Sequence, residues 1–246
     1  MADDSRSRAL SVTMINSDVA ARSAWPVDAT SRMNRMYRYQ RHIYDATRRY
    51  YLLGRDELIA ALAPAAGDNV LEIGCGTGRN LIEAATRYPN ARFYGFDVST
   101  EMLTSAISGI ERAGLSGSAK VAHGDATNFT AQAVFGQPIG FDRVMISYSL
   151  SMIPDWTAVI ERAIASLKPG GQLHIVDFGD QSGLPVFVRR ALRRWLALFD
   201  VTPRDELEAT LMQIAARIGA GLTFDRPYRG YAQAAVLTLP SRRRSP

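Results

Sequence analysis

Three glycines and two carboxylates are spaced as if to hold a small ligand. Residues 70–80 read Val-Leu-Glu-Ile-Gly-Cys-Gly-Thr-Gly-Arg-Asn. Gly74, Gly76 and Gly78 let the backbone turn tightly and approach a ligand, and a helix that starts after them offers unpaired N–H groups. Asp97 ends a second apolar run about twenty residues later, the distance at which a βαβ unit places an acid near a ribose. The spacing predicts a site for an adenosine-like ligand.

Glu72 and the glycine spacing favour a nucleoside ligand over a dinucleotide. The pattern is G-x-G-x-G, whereas the dinucleotide fingerprint is G-x-G-x-x-G. Glu72 precedes the first glycine by two residues, where it would face and repel a pyrophosphate. A ligand with a cationic group suits this carboxylate better.

Alternating strands and helices must position these residues. Apolar runs with intervening helical periodicity predict an α/β fold, a Rossmann-like doubly wound sheet. We expect strands near 69–74, 92–97, 118–122, 141–147 and 171–178, helices near 78–88, 100–112, 155–167, 183–199 and 203–219, and a final hairpin over 222–228 and 231–239. Residues 1–32 are weakly patterned and predict a mobile tail. Residues 33–66 predict helices that form a lid or substrate-side cap on a domain spanning 33–246.

Composition predicts one globular domain with an anionic partner. The chain has 246 residues, 47% hydrophobic and 22% charged, a net charge of +5 and a pI near 9.5. Basic residues cluster at 35–55, 189–194 and 242–244, which indicates nucleic acid or membrane headgroups. Cys75 is the only cysteine and is expected to be a small filler. Without a signal-peptide core or an apolar spanning stretch, the chain is expected to be cytoplasmic.

A row of tyrosines precedes the glycine loop. Tyr37, Tyr44 and Tyr51 repeat every seven residues, with Arg41 and Arg48 beside them, so a helix would carry them in one stripe. Aromatic rings can surround an alkylated ammonium, and arginines can hold a carboxylate or phosphate. The alternative is a helix whose tyrosines pack at its flank.

The helix expected over 183–199 is amphipathic. A helical wheel separates arginines from apolar residues, which is typical of a helix lying in an anionic membrane interface or packed on a sheet. The arginines are Arg189, Arg190, Arg193 and Arg194, and the apolar residues are Val188, Leu192, Trp195, Leu196 and Phe199.

The glycine-rich stretch resembles motif I of the class I S-adenosylmethionine-dependent methyltransferases, (V/L)-L-(E/D)-x-G-x-G-x-G. Further landmarks of that family follow in order: Asp97, Gly124-Asp125-Ala126, Phe141-Asp142-Arg143-Val144 and Leu167-Lys168-Pro169-Gly170-Gly171. The resemblance implies a seven-stranded sheet with strand seven antiparallel, S-adenosylmethionine as methyl donor, S-adenosylhomocysteine as product, and no metal. It implies cofactor binding by Glu72, Gly74, Cys75, Gly76, Gly78, Asp97, Val98, Met102, Asp125, Ala126 and Ser147. In these roles Glu72 supports the amino end, Asp97 the ribose hydroxyls, and Asp125 the adenine amino group.

Residues 36–56 look like the N-terminal segment of the diacylglyceryl-homoserine N-methyltransferases, relatives of the phosphatidylethanolamine N-methyltransferases. This implies three methyl transfers to a lipid-linked amine, at the inner face of an anionic membrane. The enzyme that makes that lipid-linked amino acid is a further expected partner. Substrate-binding candidates are Tyr37, Arg41, Arg48 and Arg55, and catalytic candidates are Tyr44, Tyr51, Tyr148 and Asp177.

Three alternatives for the methyl acceptor stay open, namely phosphatidylethanolamine, a soluble small molecule, and a nucleic acid or protein. The segment after the fourth strand reads Ser147-Tyr148-Ser149-Leu150. It lacks the (N/D/S)-P-P-(Y/F) signature of enzymes that methylate the amino groups of bases. Nucleic acid is therefore not the favoured partner.

Overall fold

A seven-stranded sheet forms the centre of the protein. The computed structural model describes residues 52–241, and its strands have the order β3-β2-β1-β4-β5-β7-β6. Strand β7 is antiparallel to both β5 and β6, whereas the pairings among β1 to β5 are parallel. The α/β fold with an antiparallel seventh strand is therefore confirmed. The strands are β1 (Asn69–Ile73), β2 (Arg92–Asp97), β3 (Ala119–His123), β4 (Phe141–Ser147), β5 (Leu167–Phe178), β6 (Gly221–Asp225) and β7 (Ala232–Thr238).

The helices lie between the strands as their periodicity predicts. They are α1 (Arg55–Leu62), α2 (Arg79–Arg87), α3 (Thr100–Arg112), α4 (Ala131–Phe135), α5 (Trp156–Ala165), α6 (Val186–Ala197) and α7 (Leu207–Ile218). Ser99 caps α3, its hydroxyl accepting from the Met102 amide at 3.3 Å. The Asp155 side chain caps α5 by accepting from the Ala158 amide. No helix within residues 52–241 is long and apolar enough to cross a membrane.

The central strands are buried on both faces. Val70, Leu71 and Ile73 of β1 have no exposed surface, and neither have Val144 and Ile146 of β4. Mostly apolar runs that are buried in this way are typical of parallel strands covered by helices on both sides.

Several boundaries differ from expectation. Strand β5 begins at Leu167, four residues before the predicted start, because Leu167 pairs with Phe141 across an irregularity in the β4–β5 register. Helix α4 and a 3₁₀ turn at Leu150–Met152 were not predicted, since both are shorter than the helical period can reveal. The hairpin encloses a turn at Pro227–Gly230, in which Tyr228 and Arg229 have left-handed φ angles.

The apolar face of α6 packs on the protein. Leu196 is 1% exposed, and Leu192 and Phe199 pack on the same core cluster. Arg193 donates to both Asp205 carboxylate oxygens, at 2.7 and 2.9 Å. Leu196 therefore lies in the core, whereas Trp195 on the same side of the helix is 37% exposed. The apolar side is thus covered only in part, and its placement in a membrane interface stays a prediction.

Candidate functional site

A cavity of about 570 Å³ opens at the carboxyl ends of β1, β2 and β4. The strand order reverses between β1 and β4, which is where ligands bind in open α/β sheets. A cavity of this volume is in the range of small-molecule and cofactor sites. Its walls come from three regions: residues 72–83 with Leu52 and Arg55, residues 96–102 with 124–126, and residues 147–153.

The loop from β1 to α2 needs its glycines for two different reasons. Gly74, Gly76 and Gly78 have φ angles of 71°, 54° and 76°, in the left-handed region that favours glycine. A Cβ on Gly74 would lie 2.8 Å from the Ser149 Cβ, and one on Gly78 would lie 3.0 Å from the Ala106 Cβ. Gly74 and Gly76 therefore line the cavity, whereas Gly78 lets α2 approach α3 and does not reach the cavity wall.

Asp97 joins the loop after β1 to the loop after β2. Its Oδ2 accepts from the Gly76 amide at 2.8 Å, and its Oδ1 accepts from the Ser99 amide at 2.9 Å. Asp97 also lines the cavity. A carboxylate oxygen accepts more than one hydrogen bond, so each oxygen can also receive a hydroxyl of a ribose. The fixed carboxylate fits the expected diol contact.

Glu72 is a buried carboxyl group in the cavity wall. Its Oε1 accepts from the Asn80 Nδ2 at 2.8 Å, whereas its Oε2 is buried without a hydrogen-bond partner. Burial raises the pKa of Glu72 to about 8, and the Asp97 carboxylate adds to this. The Asn80 hydrogen bond and the guanidinium groups of Arg55 and Arg79 act in the opposite direction. An unpartnered buried oxygen of this kind fits a ligand that brings an ammonium group.

The part of the cavity where an adenine ring is expected combines apolar side chains with one carboxylate. Val98, Met102, Asp125 and Ala126 all line it. Asp125 accepts from the Thr127 amide at 2.9 Å and from the Thr127 hydroxyl at 2.8 Å, both on Oδ1. Met102 is 3% exposed and packs against Met152 and Phe199. These positions fit an adenine ring whose amino group faces a carboxylate.

Cys75 belongs to the glycine loop and forms a small part of the cavity wall. It is buried, and burial raises the pKa of its thiol well above the usual range. A buried neutral thiol is a poor nucleophile, which agrees with its expected role as a filler.

The opposite end of the cavity is formed by the segment after β4. The Ser147 hydroxyl is buried without a hydrogen-bond partner and lines the cavity. Tyr148 has a φ of 55°, and its hydroxyl donates to the Leu53 carbonyl at 2.6 Å. Burial, and then the nearby Asp177 carboxylate, raise the Tyr148 pKa above its usual value. Tyr148 therefore reaches the cavity as a neutral phenol that anchors the chain before α1.

Asp177 is not among the residues that line the cavity. It has no exposed surface, and its oxygens accept from the Ser151 amide at 3.1 Å and the Phe178 amide at 2.7 Å. Burial raises its pKa to about 6 against these hydrogen bonds. Within the described structure this catalytic candidate supports the 3₁₀ turn at Leu150–Met152.

Arg204 supports the same 3₁₀ turn from the other side and was not predicted. Its Nε donates to the Leu150 carbonyl at 3.0 Å, and its Nη2 donates to the Ile153 carbonyl at 2.8 Å. The Gln233 amide in turn donates to the Arg204 carbonyl at 3.0 Å. The 3₁₀ turn beside the cavity is thus held in place by Arg204 and Gln233, which are distant from it in the sequence.

Arg55 is the one substrate-binding candidate that the described residues include, and it lines the cavity. Tyr37, Arg41, Tyr44, Arg48 and Tyr51 lie outside the described residues, as do the expected tail and most of the expected cap. Asn80 and Arg79 also line the cavity, although polar residues at the start of a helix normally face water. Arg79 pairs with Asp56 at 2.9 Å and so ties α2 to α1.

No group of three or more histidine, cysteine or carboxylate side chains within residues 52–241 could hold a metal ion.

Comparison with known proteins identifies a methyltransferase domain around this site. Residues 70–171 match the profile of a methyltransferase domain. The nocamycin O-methyltransferase of Saccharothrix syringae is 31% identical over 181 residues, which cover 72% of this chain and 62% of that protein. The demethylmenaquinone methyltransferase of Listeria welshimeri is 30% identical over 124 residues, half of each chain. The chain thus spans less than two thirds of the length of these relatives.

A solved structure agrees on the fold. An O-methyltransferase family protein from Burkholderia thailandensis superposes with a TM-score of 0.64 at 17% identity, covering 86% of this chain and 62% of that one. This superposition and the matched profile support the same conclusion as the glycine loop and the carboxylates beyond it. Residues 70–171 form a methyltransferase domain, and the chain has the fold of the class I S-adenosylmethionine-dependent methyltransferases.

Proposed function

We propose that this protein transfers a methyl group from S-adenosylmethionine to the amino group of a lipid headgroup. The observation that carries the cofactor assignment is the cavity wall between Glu72 and Asp97. One of these carboxyl groups is buried with an unpartnered oxygen, and the other is fixed at the end of β2. An ammonium and a ribose diol are the two ligand groups that such a pair would bind.

The bound cofactor would supply an electrophilic methyl group on a sulfonium. Methyl transfer to nitrogen is an in-line displacement that neutralises the sulfonium charge, so the protein contributes mainly alignment. Asp97 and the glycine loop would hold the nucleoside, and Glu72 the amino end. The segment from Ser147 to Ile153 would then orient the acceptor.

The wall formed by Ser147 to Ile153, which we call the acceptor wall, favours an amine over an alcohol as methyl acceptor. Among the described residues of that wall, the Tyr148 hydroxyl is committed to the Leu53 carbonyl and the Ser149 hydroxyl to the Ile73 carbonyl. The Ser147 hydroxyl has no hydrogen-bond partner, but an ordinary serine hydroxyl is a weak base. Met152 and Ile153 are apolar. A neutral amine needs less help from a base than an alcohol does, since its nucleophilic lone pair is free once it is deprotonated.

The lipid part of the proposal is supported by sequence and charge. Residues 36–56 resemble the lipid N-methyltransferases, and Arg55 brings a guanidinium to the cavity. Such a group can hold the carboxylate or phosphate of a headgroup. A diacylglyceryl-linked homoserine offers both an amine and a carboxylate, and phosphatidylethanolamine offers an amine and a phosphate.

A second candidate is O-methylation of a small molecule. It is favoured by the relative from Saccharothrix syringae, an O-methyltransferase that matches 72% of this chain. In that case the base would have to act from outside the described acceptor wall or from water.

The test combines cofactor binding with product analysis. We expect calorimetry to detect S-adenosylhomocysteine binding, and radiolabelled S-adenosylmethionine to label the organic phase of a total lipid extract. Chromatography should then place the label in a lipid carrying a quaternary ammonium. Label confined to nucleic acid, protein or water-soluble products would overturn the lipid assignment. Failure to bind the cofactor product would overturn the methyltransferase assignment as well.

A further inference from the structure

Helix α6 exposes a stripe in which large apolar side chains flank two arginines. Phe187 is 75% exposed and Leu198, just after the helix, is 73% exposed. Arg190 and Arg194 lie between them and are also exposed. Spacings of three, four and four residues place all four side chains on one side of a helix. We name this stripe, together with Val186, the α6 face.

Exposed apolar side chains are concentrated here. Single ones are normal on a protein surface, but a cluster marks an interaction site. Of the six large hydrophobic residues exposed within residues 52–241, Val186, Phe187, Trp195 and Leu198 belong to α6 or its end, and Met212 and Tyr228 lie elsewhere. The opposite side of α6 packs on the core through Leu196. The α6 face is therefore exposed on an anchored helix.

The charge on the α6 face lacks internal compensation. No acidic residue occurs between Asp180 and Asp200. Arg193 is paired with Asp205, whereas Arg190 and Arg194 form no ion pair within the described structure. Two uncompensated guanidinium groups between bulky apolar side chains match a surface with anionic groups above an apolar layer.

The helix is connected to the cavity at its end. Phe199 packs with Met102 and Met152, and both methionines line the cavity. A surface bound to α6 would therefore lie close to Phe199, which packs on a methionine of the cavity wall.

We propose that the α6 face docks on an anionic membrane surface, with Phe187 and Leu198 entering the interface and Arg190 and Arg194 contacting lipid phosphates. This deepens the lipid methyltransferase proposal and rests on it for the identity of the substrate. Docking itself is measured without turnover, so the two can fail separately.

The experiment measures binding of the full chain to vesicles by sedimentation. We expect binding to vesicles of phosphatidylcholine mixed with phosphatidylglycerol, and little binding to phosphatidylcholine alone. A cation near an anionic surface contributes roughly fivefold to partitioning. The double variant Arg190→Gln/Arg194→Gln should therefore bind about 30-fold more weakly. The variant Phe187→Ser/Leu198→Ser should also lose binding, including at high salt.

The matched control is Arg112→Gln/Arg162→Gln, which makes the same change in net charge on exposed arginines of α3 and α5. It should bind vesicles within about twofold of the unmodified protein. Equal losses in the two arginine pairs would overturn the proposal, because they would indicate a response to net charge alone. Absence of vesicle binding, or its replacement by oligonucleotide binding or self-association through Phe187 and Leu198, would overturn it too.

Two readouts separate docking from catalysis. All variants should keep their melting temperature and bind S-adenosylhomocysteine with unchanged affinity, because the α6 face contributes no cavity residue. Vesicle binding without lipid methylation would support docking and overturn the proposed function. Methylation of lipid in detergent micelles without vesicle binding would overturn docking and support the function.

Discussion

Replacement of Glu72 by glutamine tests how the cavity recognises the amino end of the cofactor. The Glu72 carboxyl is buried, its Oε2 has no hydrogen-bond partner, and its pKa is raised to about 8. At about pH 6.5 the ligand-free protein therefore holds this group protonated. An ammonium group placed beside Oε2 would stabilise the carboxylate, so binding should release a proton.

The magnitude follows from the distance between pH and pKa. Ionising a group of pKa about 8 at pH 6.5 crosses about 1.5 units, or about 2 kcal/mol at 1.36 kcal/mol per unit. Cofactor affinity should therefore rise by up to roughly tenfold per pH unit between about pH 6 and 7.5. The Glu72→Gln variant should lose this dependence, and its affinity deficit should be largest near pH 8.

The assay is calorimetry of S-adenosylhomocysteine at about pH 6.5, in two buffers with different ionisation enthalpies. The unmodified protein should release close to one proton per ligand, and Glu72→Gln close to none. Glu83→Gln is the matched control, because Glu83 also lines the cavity but is exposed. The reasoning is refuted if the unmodified protein releases no proton, or if Glu72→Gln releases as many.

Stability gives a second readout of the same group. A carboxyl whose pKa is higher in the folded than in the unfolded protein stabilises the fold below the unfolded value, and this stability is lost as pH rises through the folded value. For Glu72 this pH window runs from 4.5 to about 8. The loss of unfolding free energy across the window is at most roughly 5 kcal/mol. Thermal melts of the ligand-free protein should fall across this window, and those of Glu72→Gln should fall less.

Three further variants test the rest of the site. Asp97→Asn should weaken S-adenosylhomocysteine binding roughly 10- to 100-fold, because it removes a charged acceptor of hydrogen bonds; an unchanged dissociation constant in calorimetry would contradict the ribose role. Tyr148→Phe should lower stability by about 1 kcal/mol through loss of the bond to the Leu53 carbonyl but keep the rate of methyl transfer, and a collapse of kcat at unchanged fold would identify Tyr148 as a base. Arg204→Ala should raise the acceptor KM while cofactor affinity stays within about threefold; if only cofactor affinity changes, Arg204 does not position the acceptor wall.

The sheet could be predicted because its signals are local. The run from Val70 to Ile73 is apolar except for Glu72 and ends at glycines, and Phe93 to Asp97 is a second mostly apolar run that ends at a carboxylate. Periodicity cannot show what a helix face touches, however. The wheel of α6 separates arginines from apolar residues correctly, but only tertiary neighbours such as Asp205 decide which side is buried.

The position of Glu72 and Asp97 in one cavity wall could be predicted for the same reason, since both lie in or at the end of neighbouring strands. Asn80 was missed because a polar residue in the first turn of a helix normally faces water, whereas here its amide donates to a buried carboxyl. Asp177 ends a strand as Asp97 does, but the 3₁₀ turn after β4 covers it. Sequence alternation cannot reveal which strand end is covered by a distant segment.

The contact of Met102 and Met152 with Phe199 has a thermodynamic consequence. A ligand in the cavity would contact Met102 and Met152, which line it, and Phe199 follows the helix that carries the α6 face. Any event at α6 that repacks the three side chains must change the free energy of cofactor binding. Linkage then requires the cofactor to change the affinity at α6 by the same factor. Loaded and unloaded forms of the protein would accordingly partition differently between solution and a surface, with no separate regulator.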